Sequence, residues 1–378
     1  MNKDNSAYAS VHEAVDRALG LPNELYTDES ILKREYQHVL GRGWIGVAFD
    51  DDVAHPGDIF PVLAAGQPLI VLRDDENHIR VFHNVCRHRG TRLIDEPCSK
   101  PGQIVCPYHA WTYGLNGALK ATPNFRGPEV RERSAFEDGT QDLVEVRAAV
   151  WNHVVMVNLS GHAMPLEQWT ASLDERWRHY DLEGTLPGNE ITYNFGANWK
   201  LALENFLESY HLPIVHPTLN SYSPLSDHRV VVEERVMGQQ SLNYQPDDAG
   251  NALPRFASIP EERATTAEYL LLFPNLMLSV TPDHYRVTLV IPESVERTHQ
   301  RWRFFFVGEK SARPEFEAAR NSVVERVDAY TQEDIDILEK LQAGRHSSAY
   351  DGGRFSPYHE TTVHQFQKQI AHYLSADL

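Results

Sequence analysis

Cysteine is scarce in this sequence. Its 378 residues include three, Cys86, Cys98 and Cys106. So few, and an odd number, exclude a disulfide-stapled scaffold and fit a reducing compartment. Basic charge is short as well: 35 Lys and Arg face 53 Asp and Glu, a net charge of −18. Nucleic acid and anionic lipid both reward a Lys/Arg surplus, so neither is an expected partner. Long apolar runs are missing. The N-terminus, MNKDNSAYASVHEAVDRAL, has no signal-peptide core. The best run, Leu270–Phe273, stops at Pro274, far short of a bilayer span. A cytoplasmic protein without a membrane segment is expected. Internal repeats and low-complexity tracts are absent too.

A nucleotide fingerprint is also lacking. Gly41-Arg42-Gly43-Trp44-Ile45-Gly46 satisfies G-x-G-x-x-G, but that motif works only between a strand and a following helix. Here the order is reversed. A charged, helix-like stretch, Ser30–Leu40, comes first, and Val47-Ala48-Phe49 reads as a strand. Gly41 and Gly43 are therefore expected to end a helix. No other nicotinamide, flavin or P-loop signature is present.

What the chain does contain is an ordinary 42% of hydrophobic residues and 19 histidines. The first supports a packed core; the second raises metal chemistry. The length suggests two or three domains. Residues 12–41 read as helical, with a break near Gly20-Leu21-Pro22. From Trp44 to Leu159 short strand-like runs alternate with turns: 58–62, 68–72, 78–82, 143–146 and 150–157. That texture predicts a small all-β domain. Helical spacing returns at Leu166, Trp169, Leu173 and Trp177. Beyond it, 286–291 and 301–307 read as strands and about 314–343 and 360–375 as helices. Val363, Phe366, Ile370 and Tyr373 form a core stripe on the last helix. Stretches 239–266 and 344–357 read as loops. The fold class is α+β.

Within the β-rich region stand Cys86-Arg87-His88 and Cys106-Pro107-Tyr108-His109. Each cluster offers one thiolate and one imidazole, a donor set for zinc or an iron–sulfur centre. Zinc-finger spacing is not met. A two-iron cluster with chemically different ends is: thiolates hold one iron and imidazoles the other. With its flanks, Asn84-Val85 and Arg89-Gly90 on one side and Ala110-Trp111 on the other, the pair resembles the Rieske [2Fe–2S] motif. Cys98 has no partner in it and is expected to be a small buried or loop residue.

The segment Asn198–His211 reads as a buried helix. At 100° per residue it would place Glu204, Glu208 and His211 on one face, with Pro213 ending it and His216 in the following turn. Two imidazoles and one carboxylate make the facial triad of a mononuclear non-haem Fe(II) site. For the carboxylate, Thr331-Gln332-Glu333-Asp334 reads as a helix start of capping-box type. Spacing does not choose among Glu333, Asp334 and Asp336.

From about residue 25 to near its end, the chain resembles the α-subunits of Rieske non-haem iron oxygenases of the aromatic-ring-hydroxylating type. The resemblance rests on Asn198-Trp199-Lys200, Glu204-Asn205, Glu208, His211 and His216, then on Glu333-Asp334, Glu339, Gln342 and Gly344. It implies a helical segment over 1–43, a Rieske domain over 44–159, and over 160–378 a larger helix-grip catalytic domain with an antiparallel sheet. It implies that Cys86, His88, Cys106 and His109 hold the [2Fe–2S] cluster and that His211, His216 and Asp334 hold Fe(II). It gives functional roles to Glu208 and Asn205. O₂ would be co-substrate, with electrons passing from NAD(P)H through a separate flavin/iron–sulfur reductase. In that family the two centres cooperate between subunits of a ring, usually a homotrimer, so Glu208 is expected to meet His109 of a neighbouring copy.

Ring-hydroxylating dioxygenases usually carry Asp where this chain has Glu208. Glu resembles the branch that oxidises quaternary ammonium compounds, the carnitine, choline and glycine-betaine monooxygenases, as does Phe273–Asp283. The expected reaction is hydroxylation or N-demethylation of a methylammonium compound, with Phe206, Tyr210, Tyr193 and Tyr285 as candidate cage walls. Ring hydroxylation or O-demethylation of an aromatic acid is the enzyme alternative. A plain electron-transfer Rieske protein and a zinc-binding interaction protein are the other classes.

Overall fold

Two-residue turns organise the strand-rich region. In the computed structural model, which describes residues 8–100, 102–128, 136, 139–246 and 252–375, residues 41–163 form one compact unit. The outer ends of the expected N-terminal and catalytic segments, 1–7 and 376–378, and the middle of the expected loop, 247–251, lie outside the described residues. The strands of this unit are β1 (Ile45–Phe49), β2 (Asp58–Ala64), β3 (Gln67–Arg73), β4 (Ile79–His83), β5 (Cys98–Ser99), β6 (Ile104–Val105), β7 (Thr112–Tyr113), β8 (Leu119–Ala121), β9 (Glu145–Trp151) and β10 (Val154–Asn158). Seven pair antiparallel in the order β1-β10-β9-β4-β3-β2-β5, and β6-β7-β8 form a second sheet.

The run expected over 150–157 is two strands. Asn152 and His153 have φ of 44° and 71°, and two successive left-handed residues close a hairpin that matches strand twist. Ala65-Gly66 does the same between β2 and β3. Ile59, Ile70, Leu72, Phe82, Ile104 and Tyr113 form the core of this unit, and Cys86 and Cys106 sit within it. The G-x-G-x-x-G stretch follows a π-helical turn, Tyr36–Leu40, and its last two residues already belong to β1, so Gly41 and Gly43 stand at a helix end.

The second unit comprises Met1–Leu40 and Met164–Leu378. Its strands are β11 (Thr185–Phe195), β12 (His228–Val232), β13 (Val236–Ser241), β14 (Ala267–Leu272), β15 (Leu276–Val280), β16 (His284–Ser294) and β17 (Arg297–Val307). They form one antiparallel sheet in the order β11-β17-β16-β15-β14-β13-β12. Side chains alternate between its faces. One face meets the helix Ala171–Trp177: Arg176 makes a two-pronged pair with Glu268 at 2.9 Å, and the Trp177 indole donates to the same carboxylate. The other face, with the long helix Glu317–Gly344, lines the cavity described below. Strand β13 corrects the expected loop, since residues 239–241 are paired with β14.

The N-terminal segment is less helical than its periodicity suggests. Among its described residues only Glu24–Thr27 and Glu29–Glu35 are α-helical, and Ser10–His12 is a single 3₁₀ turn. It is held in this unit by polar groups inside the core. The Lys200 ammonium lies 2.6 Å from the Glu35 carboxylate, both side chains being fully buried, and the Trp199 indole donates to Glu35 at 2.8 Å. Tyr26 donates to Glu204 at 2.6 Å, beneath the guanidinium of Arg345. Buried charges persist where such partners replace lost hydration. The residues Asn198-Trp199-Lys200 thus serve the fold rather than the metal.

Candidate metal centres and the cavity beside them

The two cysteine loops repeat one backbone design. The amide of Cys86 donates to Thr91 and its carbonyl accepts from Gly90; Cys106 does the same with Trp111 and Ala110. The closing residues, Gly90 and Ala110, are both left-handed, at φ 75° and 57°. Each loop thereby turns back after its histidine and presents thiol and imidazole together. The thiols are buried. The imidazoles lie toward the surface, with ring centroids 4.8 Å apart, and His109 is exposed. Buried sulfur at one end and exposed nitrogen at the other fit a cluster with two different irons. Cys98 lies apart in β5, half-buried.

The cluster site has neighbours that the motif does not reveal. His88 stacks on Trp111 at 4.7 Å and 8°. The Tyr113 hydroxyl lies 3.3 Å from Cys86 Sγ and accepts from the Arg87 amide at 3.0 Å. Burial pushes this phenol well above its ordinary range, so toward a thiolate it acts as a donor. Tyr113→Phe is expected to lower the cluster potential by about 50 mV, roughly one weak hydrogen bond in a one-electron couple. Spectroelectrochemical titration reads that shift, and an unchanged potential would remove Tyr113 from the tuning of the cluster.

The helix expected over 198–211 ends at Phe206. Pro213 has no N–H, and its ring would meet the carbonyl of Ser209 in a continuous helix. It sits instead near the start of a new turn, Leu212–Val215. Tertiary partners take up freed carbonyls: Gln239 donates to Phe206 and Glu208, and Thr362 to Leu207. This corrects the shared face drawn for Glu204, Glu208 and His211. Glu204 belongs to the buried Tyr26–Arg345 cluster, while Glu208 and His211 lie in the connection after the helix. The carboxylate stretch also differs from expectation. Glu333 and Asp334 lie in the middle of Glu317–Gly344, so Asp334 does not cap a helix.

His211, His216 and Asp334 come together, with one potential ligand atom from each inside a 4.8 Å span. Both Nε2 atoms aim at Asp334 Oδ1, from 2.9 Å for His216 and 3.7 Å for His211. Their Nδ1 atoms are engaged on the far side, His211 by Glu208 at 2.5 Å and His216 by Glu333 at 2.6 Å. Carboxylates behind each ring fix the tautomer that leaves Nε2 free for a metal. Asn205 donates to Asp334 Oδ1 at 2.8 Å and so positions it. Burial favours neutral His216, but Asp334 and Glu333 outweigh it and raise its pKa. Two imidazoles and a carboxylate beside an open cavity fit iron of the facial-triad type. Glu339 and Gln342 accept from the amides of Gly196 and Asn198, at 3.0 and 2.9 Å. They tie the start of the Asn205 helix to the helix that carries Asp334.

The cavity extends from this trio between the sheet and the long helix. Of the four candidate aromatic walls, Phe206 lines it and three do not. Tyr285 points to the opposite face of β16, against Trp177 and Phe305. Tyr193 stands behind Trp302 and donates to Asp328 at 2.7 Å. Tyr210 is 56% exposed and stacks on His359. The aromatic walls are Phe206, Tyr269, Trp302 and Tyr330, and the polar groups include His228, Gln239, Arg286 and Gln300. Strand alternation over β13–β17 carried the signal for most of them, but it is readable only once the strands and their register are known.

A family model described as the ring-hydroxylating α-subunit catalytic domain matches residues 182–376, and a Rieske [2Fe–2S] domain model matches 43–134. The carnitine monooxygenase oxygenase subunit of Escherichia coli K12 is 27% identical, over 88% of this chain and 86% of its own. The glycine betaine monooxygenase oxygenase subunit of Chromohalobacter salexigens is 27% identical, over 92% and 84%. The chloroplastic choline monooxygenase of Arabidopsis thaliana is 25% identical, over 95% and 84%. A solved quaternary ammonium Rieske monooxygenase shares the fold at a TM-score of 0.80 and 23% identity, covering 95% of this chain and 96% of that one.

Proposed function

This chain belongs to the ring-hydroxylating α-subunit family of Rieske non-haem iron oxygenases, and from that premise we propose that it hydroxylates or N-demethylates a methylated ammonium compound. As a member it is an oxidoreductase with a Rieske [2Fe–2S] cluster and a mononuclear iron, served by a separate reductase. The observation that carries the reading is the His211–His216–Asp334 trio at the end of a cavity walled by four aromatic rings. When bound, the iron and the cluster supply O₂ activation and single electrons. The chain's residues hold the substrate there. Aromatic faces attract a quaternary nitrogen, and the cavity walls enclose the reacting carbon. Hydroxylating an N-methyl group inserts one oxygen atom, and the other leaves as water with two electrons and two protons. The resulting N–CH₂–OH group loses a proton as its C–N bond breaks, releasing formaldehyde and the demethylated amine.

The same reading places a second copy of the chain at Glu208. This carboxylate is half-buried and accepts from the amide of the exposed Tyr210, while His109 stands exposed on the Rieske unit. A head-to-tail homotrimer would bring the two together and give electrons a route through Glu208 to His211. No helix of the described residues is long and apolar enough to cross a membrane, and we assign the enzyme to the cytoplasm. One observation favours a second substrate reading, hydroxylation or O-demethylation of an aromatic acid: an arginine, Arg286, lines the cavity.

The test is reconstitution with a reductase and NAD(P)H. About three irons and two acid-labile sulfides per chain are expected, as for one Rieske cluster plus one iron. O₂ uptake with formaldehyde release should follow for methylated ammonium compounds. Turnover of aromatic acids alone would reject the methylammonium reading and leave the oxygenase.

A further inference from the structure

Among the described residues, three arginines of this unit are buried, Arg286, Arg301 and Arg345, and Arg286 is the one of them without a carboxylate partner; the half-buried Arg176 and Arg303 are paired as well. Arg176 pairs with Glu268 at 2.9 Å, Arg301 and Arg303 with Glu190 at 2.9 and 2.5 Å, and Arg345 with Glu204 at 3.8 Å. Arg286, on β16 and 4% exposed, has neutral partners. It donates to Tyr330 at 2.6 Å and Ser279 at 2.8 Å, and its guanidinium lies over the Trp302 ring at 4.6 Å. No carboxylate among the described residues comes within ion-pair reach. It is also the one Arg or Lys lining the cavity. The carboxylates that share this cavity are committed elsewhere, Glu208 to His211 and Asp334 to His216 and Asn205. A buried cation without a counter-charge is costly, and an anion entering its cavity removes that cost.

We propose that Arg286 binds a carboxylate of the substrate, so that the substrate is a zwitterion with a methylated ammonium at one end and a carboxylate at the other. The proposal rests on the methylammonium reading and narrows it. Tyr330 relates the two ends of the site: its ring centroid is 6.0 Å from that of His216 and 5.9 Å from the Arg286 guanidinium carbon. A carboxylate docked on Arg286 therefore leaves the rest of a small molecule directed toward the metal trio. The face of Trp302 is taken by the guanidinium. Phe206 and Tyr269, perpendicular at 6.5 Å, offer rings that Arg286 does not cover. A methylated amino alcohol, cationic without a carboxylate, would meet the uncompensated charge of Arg286 as a repulsion.

The experiment uses the reconstituted holoenzyme with three probes of similar size: glycine betaine, its methyl ester and choline. Formaldehyde release and O₂ uptake give kcat and KM for each. The wild-type enzyme should favour the acid in kcat/KM by about 100-fold or more, the effect of one buried charge pair. Arg286→Gln should keep its iron and cluster absorbance, raise KM for the acid by about 10- to 100-fold, change kcat less, and erase the preference for acid over ester. Arg286→Lys should restore part of it. If the wild-type enzyme uses choline or the ester as well as the acid, the proposal is overturned while the methylammonium reading stands. The wild-type comparison needs no variant and holds even if Arg286→Gln does not fold. An acid preference that survives in a folded Arg286→Gln enzyme would also overturn it. Turnover confined to aromatic acids would overturn both the zwitterion and the methylammonium reading.

Discussion

A Glu208→Gln enzyme is expected to bind its cluster and its iron, fold normally, and yet couple reductant to product about 10- to 150-fold more slowly. The geometry explains why the substitution is selective. Glu208 accepts from the backbone amides of Tyr210 and His211 as well as standing 2.5 Å from His211 Nδ1. A glutamine oxygen can still accept from the His211 ring, which keeps that imidazole oriented, while the contacts with the Tyr210 and His211 amides are given up. Its NH₂ group replaces an acceptor with a donor. In the proposed head-to-tail ring it could no longer take a hydrogen bond from the imidazole of a neighbouring copy's His109. Losing a charge-assisted bond of this kind is worth about 1.5–3 kcal/mol, or roughly 10- to 150-fold, and the electron route needs both of its bonds. Single-turnover oxidation of the pre-reduced cluster, in the presence of substrate and O₂, measures the step directly. Unimpaired cluster oxidation in Glu208→Gln with intact metal content would discard the bridging role.

Asp334→Asn acts on the other metal. The amide is a neutral and weak oxygen donor, and it removes the one anionic ligand of the trio. It also disturbs the contacts of Asp334 with His216 and Asn205. Iron content should fall by about one per chain while the two cluster irons and the visible absorbance remain. Hydroxylation should drop by about 10³-fold or more, since supporting residues alone cost 10–100-fold in metal affinity and a direct ligand costs more. Iron analysis alongside the visible spectrum decides it. An iron count equal to wild type would move the third ligand to another residue. Glu333 is the nearest rival in sequence, but it stands 2.6 Å from His216 Nδ1, behind the ring.

The two constellations differed in how much of each was legible. The Rieske ligands were readable because each pair lies within four residues, and a short loop closed by a left-handed residue holds its two side chains together. The cavity was the least legible part. Tyr285 and Arg286 are adjacent in sequence and face opposite sides of the sheet. Choosing Tyr285 as a wall and overlooking Arg286 follows from not knowing which parity of β16 points inward. Tyr210 failed for a related reason: the helix ends before it, so its periodic position carries no information about the cavity.

The sequence by itself determined the donor types, the separate cluster and iron sites, the family and the α+β class. These follow from short spacings and from runs whose periodicity survives without a partner. Spacing could not choose among the three acidic residues, and the resemblance pointed to Asp334; the tertiary structure shows it facing the imidazoles, with Asp334 and His216 118 positions apart in sequence. The tertiary structure alone sent Glu204 into the buried cluster with Tyr26 and Arg345, and left Arg286 without a counter-charge. Local sequence limits what a turn or a strand can present. Which faces are buried against each other depends on strand register, helix termination and the pairing of charges removed from water.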